Sequence, residues 1–452
     1  MVSPEPQPPA PGGGAASPEL RKVTMSSLLG TVIEYYDFLI YSSIAALVFG
    51  PLFFPSLNST TSTIASFGTL AAGYVARPLG GLVFGHFGDR LGRKSMLMVT
   101  MTLMGVASFL IGVLPTYATI GIAAPLLLVF LRVVQGIAVG GEWGGAALMV
   151  VEHASARRRG LWAGIMQLGS PLGSFLATLV FALVSLLPKP ALFSWGWRLP
   201  FLLSALLLIV GLYVRLRVSE SPVFREQAAK SVDRKPAVPV LQVLRRPRAL
   251  VLACAAGIGP FALTALISSH SIAYAKTLGY DVSDVARALL FVAGVGIVCI
   301  PAFSAWSDRV GRRVVSLIGA VGTILYAIPL YALVNSGSVL LLTLGLMGAQ
   351  MLQNLMYAPL APMLSEMFGT GVRYTGVSLG YQLASLLGAG FTPLLASSLV
   401  AGFGGSSLPL SAIAGVGAVI TIVAIWRISE TRGSDLTGSP EAVSPEPAAR
   451  WS

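Results

Sequence analysis

The stretch TVIEYYDFLIY, residues 31–41, sets Glu34 and Asp37 inside a run that is otherwise apolar and aromatic. Spaced i, i+3, the two acids share one face of a helix. Two cations recur in similar company, Arg77 in ARPLGG and Arg132 in LRVVQG. A carboxyl held away from water can bind and release protons near neutral pH. A guanidinium offers two parallel donors that match a carboxylate. These four residues therefore suggest handling of protons and of a carboxylate-bearing small molecule. Other chemistries lack their parts. Two Cys and three His give no metal-ligand spacing. Residues 376–380, GVSLG, fit a nucleophile-elbow pattern by letter, but no His follows them. No enzyme activity and no cofactor is expected.

The elements that must position these charges are read from the apolar background. The 452 residues are 55% hydrophobic and 11% charged, whereas soluble domains carry about 25% charged residues. The intervals Arg313 to Glu366 and Arg373 to Arg427 hold no charge between their ends. A spanning helix needs about 20 apolar residues, so each interval holds two spans, with NSGS (335–338) and GFGGSS (402–407) as the turns. Twelve spans are expected, near 24–50, 62–87, 95–115, 119–151, 159–187, 197–217, 249–274, 285–306, 314–335, 339–362, 374–401 and 408–428. They must be helices, because lipid leaves no partner for open backbone groups and a barrel would show short alternating segments. The expected fold is an all-α integral membrane protein. At 1.5 Å rise per residue, Glu34 and Asp37 fall about 15–20 Å into span 1, Arg77 about 22 Å into span 2 and Arg132 about 18 Å into span 4. Left unpaired, four such charges cost roughly 10–14 kcal/mol on insertion scales, so they must pair or face water.

The net charge of +12 fits the positive-inside rule rather than nucleic-acid binding. DRLGRK, RRRG, the 215–248 linker, DRVGRR and Arg373 fall in every second loop, and the other loops PLFFPSLNSTTS, PTYATIG, NSGS and GFGGSS hold no Lys or Arg. Both termini are expected in the cytoplasm. Residues 1–23 and 429–452 are expected to be unstructured by composition.

The chain also repeats itself. Gly85, Asp89, Arg90, Gly92, Arg93 and Lys94 match Ser304, Asp308, Arg309, Gly311, Arg312 and Arg313. Glu152 and Arg159 match Glu366 and Arg373 at nearly the same offset. This gives a six-helix half at 24–217, a linker at 218–248 and a second six-helix half at 249–428, a repeat typical of secondary transporters. Gly85 allows close helix approach. Asp89 and Asp308 can accept from a neighbouring helix N-terminus. Arg93, Arg159, Arg312 and Arg373 can pair with Glu152 or Glu366 across the bundle. These nine residues are expected to form a lock on the cytoplasmic side that breaks when that side opens.

Uncharged polar residues line up as well. Gln350, Gln353, Asn354 and Tyr357 form one helical stripe, and Ser378, Tyr381, Gln382 and Ser385 another. Gln167, Ser170 and Ser174 form a third, and Thr264, Ser268 and Ser271 a fourth. A shared aqueous cavity between the halves is the expected use. Gln135, Gln167, Gln350, Gln353, Asn354, Tyr357, Tyr381 and Gln382 join Arg77 and Arg132 as substrate-binding candidates.

Six segments, EYYDF, ARPLGG, GHFGDRLGRK, LRVVQGIAVGGEWGGAALMVVEHA, WGWRLPF and ESPVF, together resemble the major facilitator superfamily. More narrowly they resemble its metabolite:proton symporter family. The resemblance runs from about residue 24 to 430 and implies the major facilitator fold, alternating access and inward symport with protons. Members take up shikimate, dicarboxylates, citrate, alpha-ketoglutarate, and zwitterions such as proline and glycine betaine. On this basis Asp37 and Glu34 are the expected proton carriers. The expected partners are a small-molecule substrate, protons and the bilayer of the plasma (inner) membrane, and the chain is expected to be monomeric. Ser304 departs from the family's loop glycine.

Overall fold

The computed structural model describes residues 17–230, 238–245 and 247–436. Of the segments expected to be unstructured, 1–16 and 437–452 lie outside the described residues. Among the described residues all regular structure is helical.

The first long helix, α1, spans Pro18–Ile44. The Ser17 side chain accepts from the Leu20 N–H at 3.1 Å, and Pro18 occupies a first-turn position that needs no donor. The helix thus starts inside the segment expected to be unstructured, and that boundary moves to residue 17. The chain continues through α2 (Ser59–Leu91), α3 (Arg93–Val113), α4 (Ala123–His153), α5 (Arg159–Gln167, prolonged by Gly169–Ser185) and α6 (Leu199–Leu216). The second half holds α7 (Pro247–Ala265), α8 (Val282–Val310), α9 (Arg312–Val334), α10 (Val339–Tyr357, prolonged by Leu360–Met367), α11 (Arg373–Ser385, prolonged by Thr392–Gly402) and α12 (Leu408–Arg427). Ten of these are long and apolar enough to cross a membrane, and α1 with Leu47–Phe53 makes an eleventh as a bent pair. The 33-residue α2 takes the remaining place in the twelve.

The halves repeat in packing as in sequence. Helix α1 packs on α5, α2 and α3 on α4, and α3 on α6; α7 packs on α11, α8 and α9 on α10, and α9 on α12. The turns α2–α3 and α8–α9 reverse direction at Gly92 and Gly311, whose φ values are 105° and 107°. Side chains rarely adopt that conformation, so the loop glycine is required twice by the same backbone. Two seams join the halves, α2 against α11 and α5 against α8. Between them a buried core gathers Trp143, Met166, Met363 and Tyr374.

Beyond α12 the chain turns back on the bundle. Thr431 and Leu436 are buried, so the part of 429–452 that is described is held in place, contrary to the composition-based expectation.

Candidate functional site

At the end of the bundle that carries the basic loops, each seam is bolted in the same way. Asp89, at the end of α2, accepts from the Tyr374 and Thr375 backbone N–H groups at 3.0 Å each, and from the Thr375 hydroxyl at 2.8 Å. Those amides open α11. Asp308, at the end of α8, accepts from the Gly160 and Leu161 N–H groups at 2.8 Å each. Those amides open α5. Each aspartate thus satisfies the free donors of a helix N-terminus in the other half. Glu152 lies 3.1 Å from Arg373 across the seam and 3.5 Å from Arg93 in its own half. Glu366 mirrors it, 3.5 Å from Arg159 across the seam and 3.5 Å from Arg312 in its own half. Gly85 lies against the Thr375 backbone, where a Cβ would collide. All nine residues expected to form a lock therefore meet here.

Sequence reasoning missed further members. Glu220 accepts from the Arg93 and Lys94 N–H groups, capping α3. Glu430 accepts from the Arg312 and Arg313 N–H groups, capping α9. The Ser221 hydroxyl donates to Glu152, and the Thr431 hydroxyl donates to Glu366 at 2.8 Å. The signal was present: RVSES (217–221) and RISET (427–431) follow the last helix of each half. The returning tail adds acceptors that the sequence does not announce. Arg159 donates to the Ser434 carbonyl at 2.7 Å, and Arg373 to the Leu436 carbonyl at 2.9 Å.

Near the middle of the first half, Glu34, Asp37, Arg77, Arg132 and Gln135 line one small cavity with Phe38, Gly73 and Met104. It has room for about one water molecule. The two arginines stack on rings instead of forming ion pairs. The Arg132 guanidinium lies 4.1 Å from the Tyr41 ring centre, and that of Arg77 4.3 Å from Tyr74 and 5.0 Å from Phe38. Among the described residues, Arg132 Nε and Glu34 Oε2 are buried without a hydrogen-bond partner, and no ion pair joins Arg77 to Glu34.

Asp37 is held differently. Its Oδ2 accepts from the Ser108 hydroxyl at 2.7 Å, and its Oδ1 from the Ser204 hydroxyl. Ser108 accepts in turn from the Gln135 amide N–H at 2.6 Å, and the Gln135 carbonyl accepts from Arg132 at 3.0 Å. A buried chain of hydrogen bonds thus connects Arg132 to Asp37. A lone serine in an apolar helix is unremarkable, so Ser108 and Ser204 could not be picked out beforehand.

Glu142, another acid in an apolar stretch, belongs to a separate cluster. Arg215 pairs with both of its oxygens and also donates to the Leu97 carbonyl at 2.6 Å, while Thr100 donates to Glu142 at 2.6 Å. Arg215 counted among the loop cations by position; it is buried and satisfies Glu142.

Gln167, Gln353, Asn354, Tyr357, Tyr381 and Gln382 are buried, Gln350 and Thr264 are half-buried and Ser268 is exposed; none of the stripe residues lines the cavity around Asp37. The Gln167 amide donates to the Ala358 carbonyl at 3.2 Å, and Gln382 to the Val139 carbonyl at 3.3 Å; both cross between halves. Tyr357 and Tyr381 share a hydroxyl contact of 3.2 Å, and Trp143 stacks on Tyr381 with ring centres 3.5 Å apart. Gln350 donates to both Gln353 and Asn354, at 2.9 and 3.0 Å. Thr264 in α7 and Ser268 just beyond it each donate to the carbonyl four residues earlier, as helical hydroxyls commonly do.

Comparison with known proteins agrees with this architecture. The Inner membrane metabolite transport protein YhjE of Escherichia coli is 41% identical over 426 residues, covering 92% of this chain and 95% of that protein. The Shikimate transporter of Escherichia coli is 39% identical over 390 residues, covering 85% and 89%. The proton:xylose symporter XylE bound to 6-bromo-6-deoxy-D-glucose superimposes with a TM-score of 0.76 at 18% identity, over 94% of this chain and 98% of that one. Residues 28–386 match the Major Facilitator Superfamily. With twelve helices in two matching halves, two seams bolted by the same pairs and these relatives, the chain belongs to the major facilitator superfamily and is a multi-pass membrane transporter, not an enzyme.

Proposed function

We propose that the protein is a proton-coupled symporter of the metabolite:proton symporter family. It imports a small carboxylate-bearing metabolite by alternating access: a shikimate-like acid, a di- or tricarboxylate, or a zwitterion such as proline or glycine betaine. The observation that carries this reading is the cavity in which Asp37 and Arg132 are buried together, with neither in an ion pair among the described residues. A charge costs free energy at mid-depth, and an unpaired guanidinium stacked on Tyr41 keeps its N–H edge for an incoming anion. Arg132 is therefore the carboxylate fork, and Asp37 carries the proton, with Glu34 beside it. Arg77, stacked on Tyr74, supports the same anion. The relative named for shikimate supports a small acid as cargo.

In this conformation the basic end is bolted and the mid-depth cavity is too small for a metabolite. Turnover requires the aspartate–N-terminus and Glu–Arg contacts to break, so that the halves rock about the central site. By the positive-inside rule the basic end faces the cytoplasm, which sets both termini there in the plasma membrane. The working unit is a monomer, with protons as coupling ion and no other cofactor.

Uptake into proteoliposomes tests this. Labelled shikimate, citrate, proline and glycine betaine are offered with and without an inward proton gradient. At least one should accumulate only with the gradient. Asp37→Asn should abolish that accumulation while counterflow partly survives. Equal entry without a gradient would make the protein a facilitator, and full-rate transport of an uncharged sugar by Arg132→Ala would remove the carboxylate.

A further inference from the structure

Proton and substrate must be linked for symport, and resting on the reading above, the mid-depth site offers a route. We propose that Gln135 and Ser108 are positioning residues that report the occupancy of Arg132 to Asp37 by reversing a buried chain of hydrogen bonds.

The direction of the chain is fixed by chemistry. A guanidinium has donors and no acceptor, so the side of the Gln135 amide that meets Arg132 must be its carbonyl oxygen. The amide N–H then points the other way, into the Ser108 oxygen. With that lone pair engaged, the Ser108 hydroxyl hydrogen goes to Asp37 Oδ2. Arg132 therefore makes Asp37 Oδ2 an acceptor from two residues away. All four residues are buried, and no water is needed to complete the path.

A substrate carboxylate alters the first link. Once it takes the Arg132 N–H, the Gln135 carbonyl has no partner, and the amide can turn to present that oxygen to Ser108. The Ser108 hydroxyl hydrogen then moves from Asp37 Oδ2 to Gln135 Oε1. Asp37 Oδ2 loses a donor, and a proton taken up from hydronium in the outer solution, which leaves as water, restores the bond with the opposite polarity, as Asp37 O–H donating to Ser108. No other covalent bond changes. Ser204 holds Oδ1 in both arrangements. The charged groups around Asp37 are Arg132 from α4, Arg77 from α2 and Glu34 on its own helix, all lining the same cavity. Arg132 alone among them is joined to Asp37 through hydrogen bonds. Binding at one end thus favours binding at the other, and linkage makes the effect reciprocal.

Two substitutions test the relay in the full-length protein, with the labelled carboxylate panel of the previous section, shikimate first. Ser108→Ala removes the hydroxyl, while Ser108→Cys keeps nearly the same volume with a weak hydrogen bond. Both should keep the counterflow Km within about twofold, yet lose about fivefold or more of the proton-driven accumulation ratio, the lower range of site-to-site coupling. A packing role would spare the cysteine variant. If the wild type accumulates a carboxylate and both variants accumulate it equally, the relay is wrong and the symport reading stands. If the wild type exchanges a carboxylate without any proton dependence, or moves none, the symport reading itself fails and the relay falls with it.

Discussion

Asp89→Ala should unbolt one seam. Asp89 accepts three hydrogen bonds, all from Tyr374 and Thr375 in the other half, so they exist only while the basic end is shut. A bond to a charged group is worth about 1.5–3 kcal/mol. Three bonds to one carboxylate are not additive, and a net loss of about 3 kcal/mol follows from that range. At about 1.4 kcal/mol per tenfold, the ratio of shut to open falls roughly a hundredfold. Asp89→Asn keeps one acceptor and should fall between. Asp308→Ala removes two cross-seam bonds from Gly160 and Leu161 and should act in the same direction. The readout is maleimide labelling of Met363→Cys in a background with Cys254→Ser and Cys299→Ser. Met363 is fully buried between the halves, so its replacement should label slowly in the parent and much faster in both aspartate variants. Equal labelling rates in all of them would refute the idea that these contacts hold the halves shut.

Arg132→Lys keeps the charge but loses the planar edge, and the apparent Km for the transported carboxylate should rise roughly tenfold to a hundredfold, the equivalent of one charge-assisted bond; an unchanged Km would take Arg132 out of the binding site. Arg215→Met leaves Glu142 buried and unpaired, and losing one partner of such a pair costs about 3–5 kcal/mol. Its thermal unfolding temperature in detergent should drop clearly, and Arg215→Met with Glu142→Leu should recover much of the loss. Truncation after Gly433 removes the carbonyls that Arg159 and Arg373 donate to. It should raise labelling of the same Met363→Cys reporter, by less than Asp89→Ala does.

The twelve helices, the repeat and the ionisable residues of the mid-depth cavity were legible because each is a large signal against an apolar background. A charge such as Asp37 or Arg132 has no cheap reason to be in a span. Ser108 and Ser204 were illegible because a hydroxyl in a helix can satisfy itself on its own backbone, and only the fold shows that these two turn to Asp37. Arg215 misled by position, since a cation at a helix end reads as a loop cation until Glu142 is found beside it. The tail misled by composition. Its polar residues look unstructured, yet backbone carbonyls at Ser434 and Leu436 serve the arginines, and any sequence carries carbonyls.

The two seams have the same backbone but not the same shape. Along α2 the first half offers Gly81, Gly85 and Gly88 to α11, and along α5 it offers Gly160 and Gly164 to α8. The second half answers with bulk, Tyr374 and Thr375 at one seam and Ser304 at the other. The loop glycine lost at Ser304 is therefore made good by the glycines it faces. The amino half supplies hollows and the carboxy half supplies bumps at both places. Two amino halves set face to face would leave gaps, and two carboxy halves would clash. A chain built from a repeat has thereby become a pair of unlike pieces, each fitted to the other and poorly fitted to a copy of itself. Crowded together in one membrane, like halves of neighbouring chains are therefore kept from pairing with each other, and each half selects one of the opposite kind.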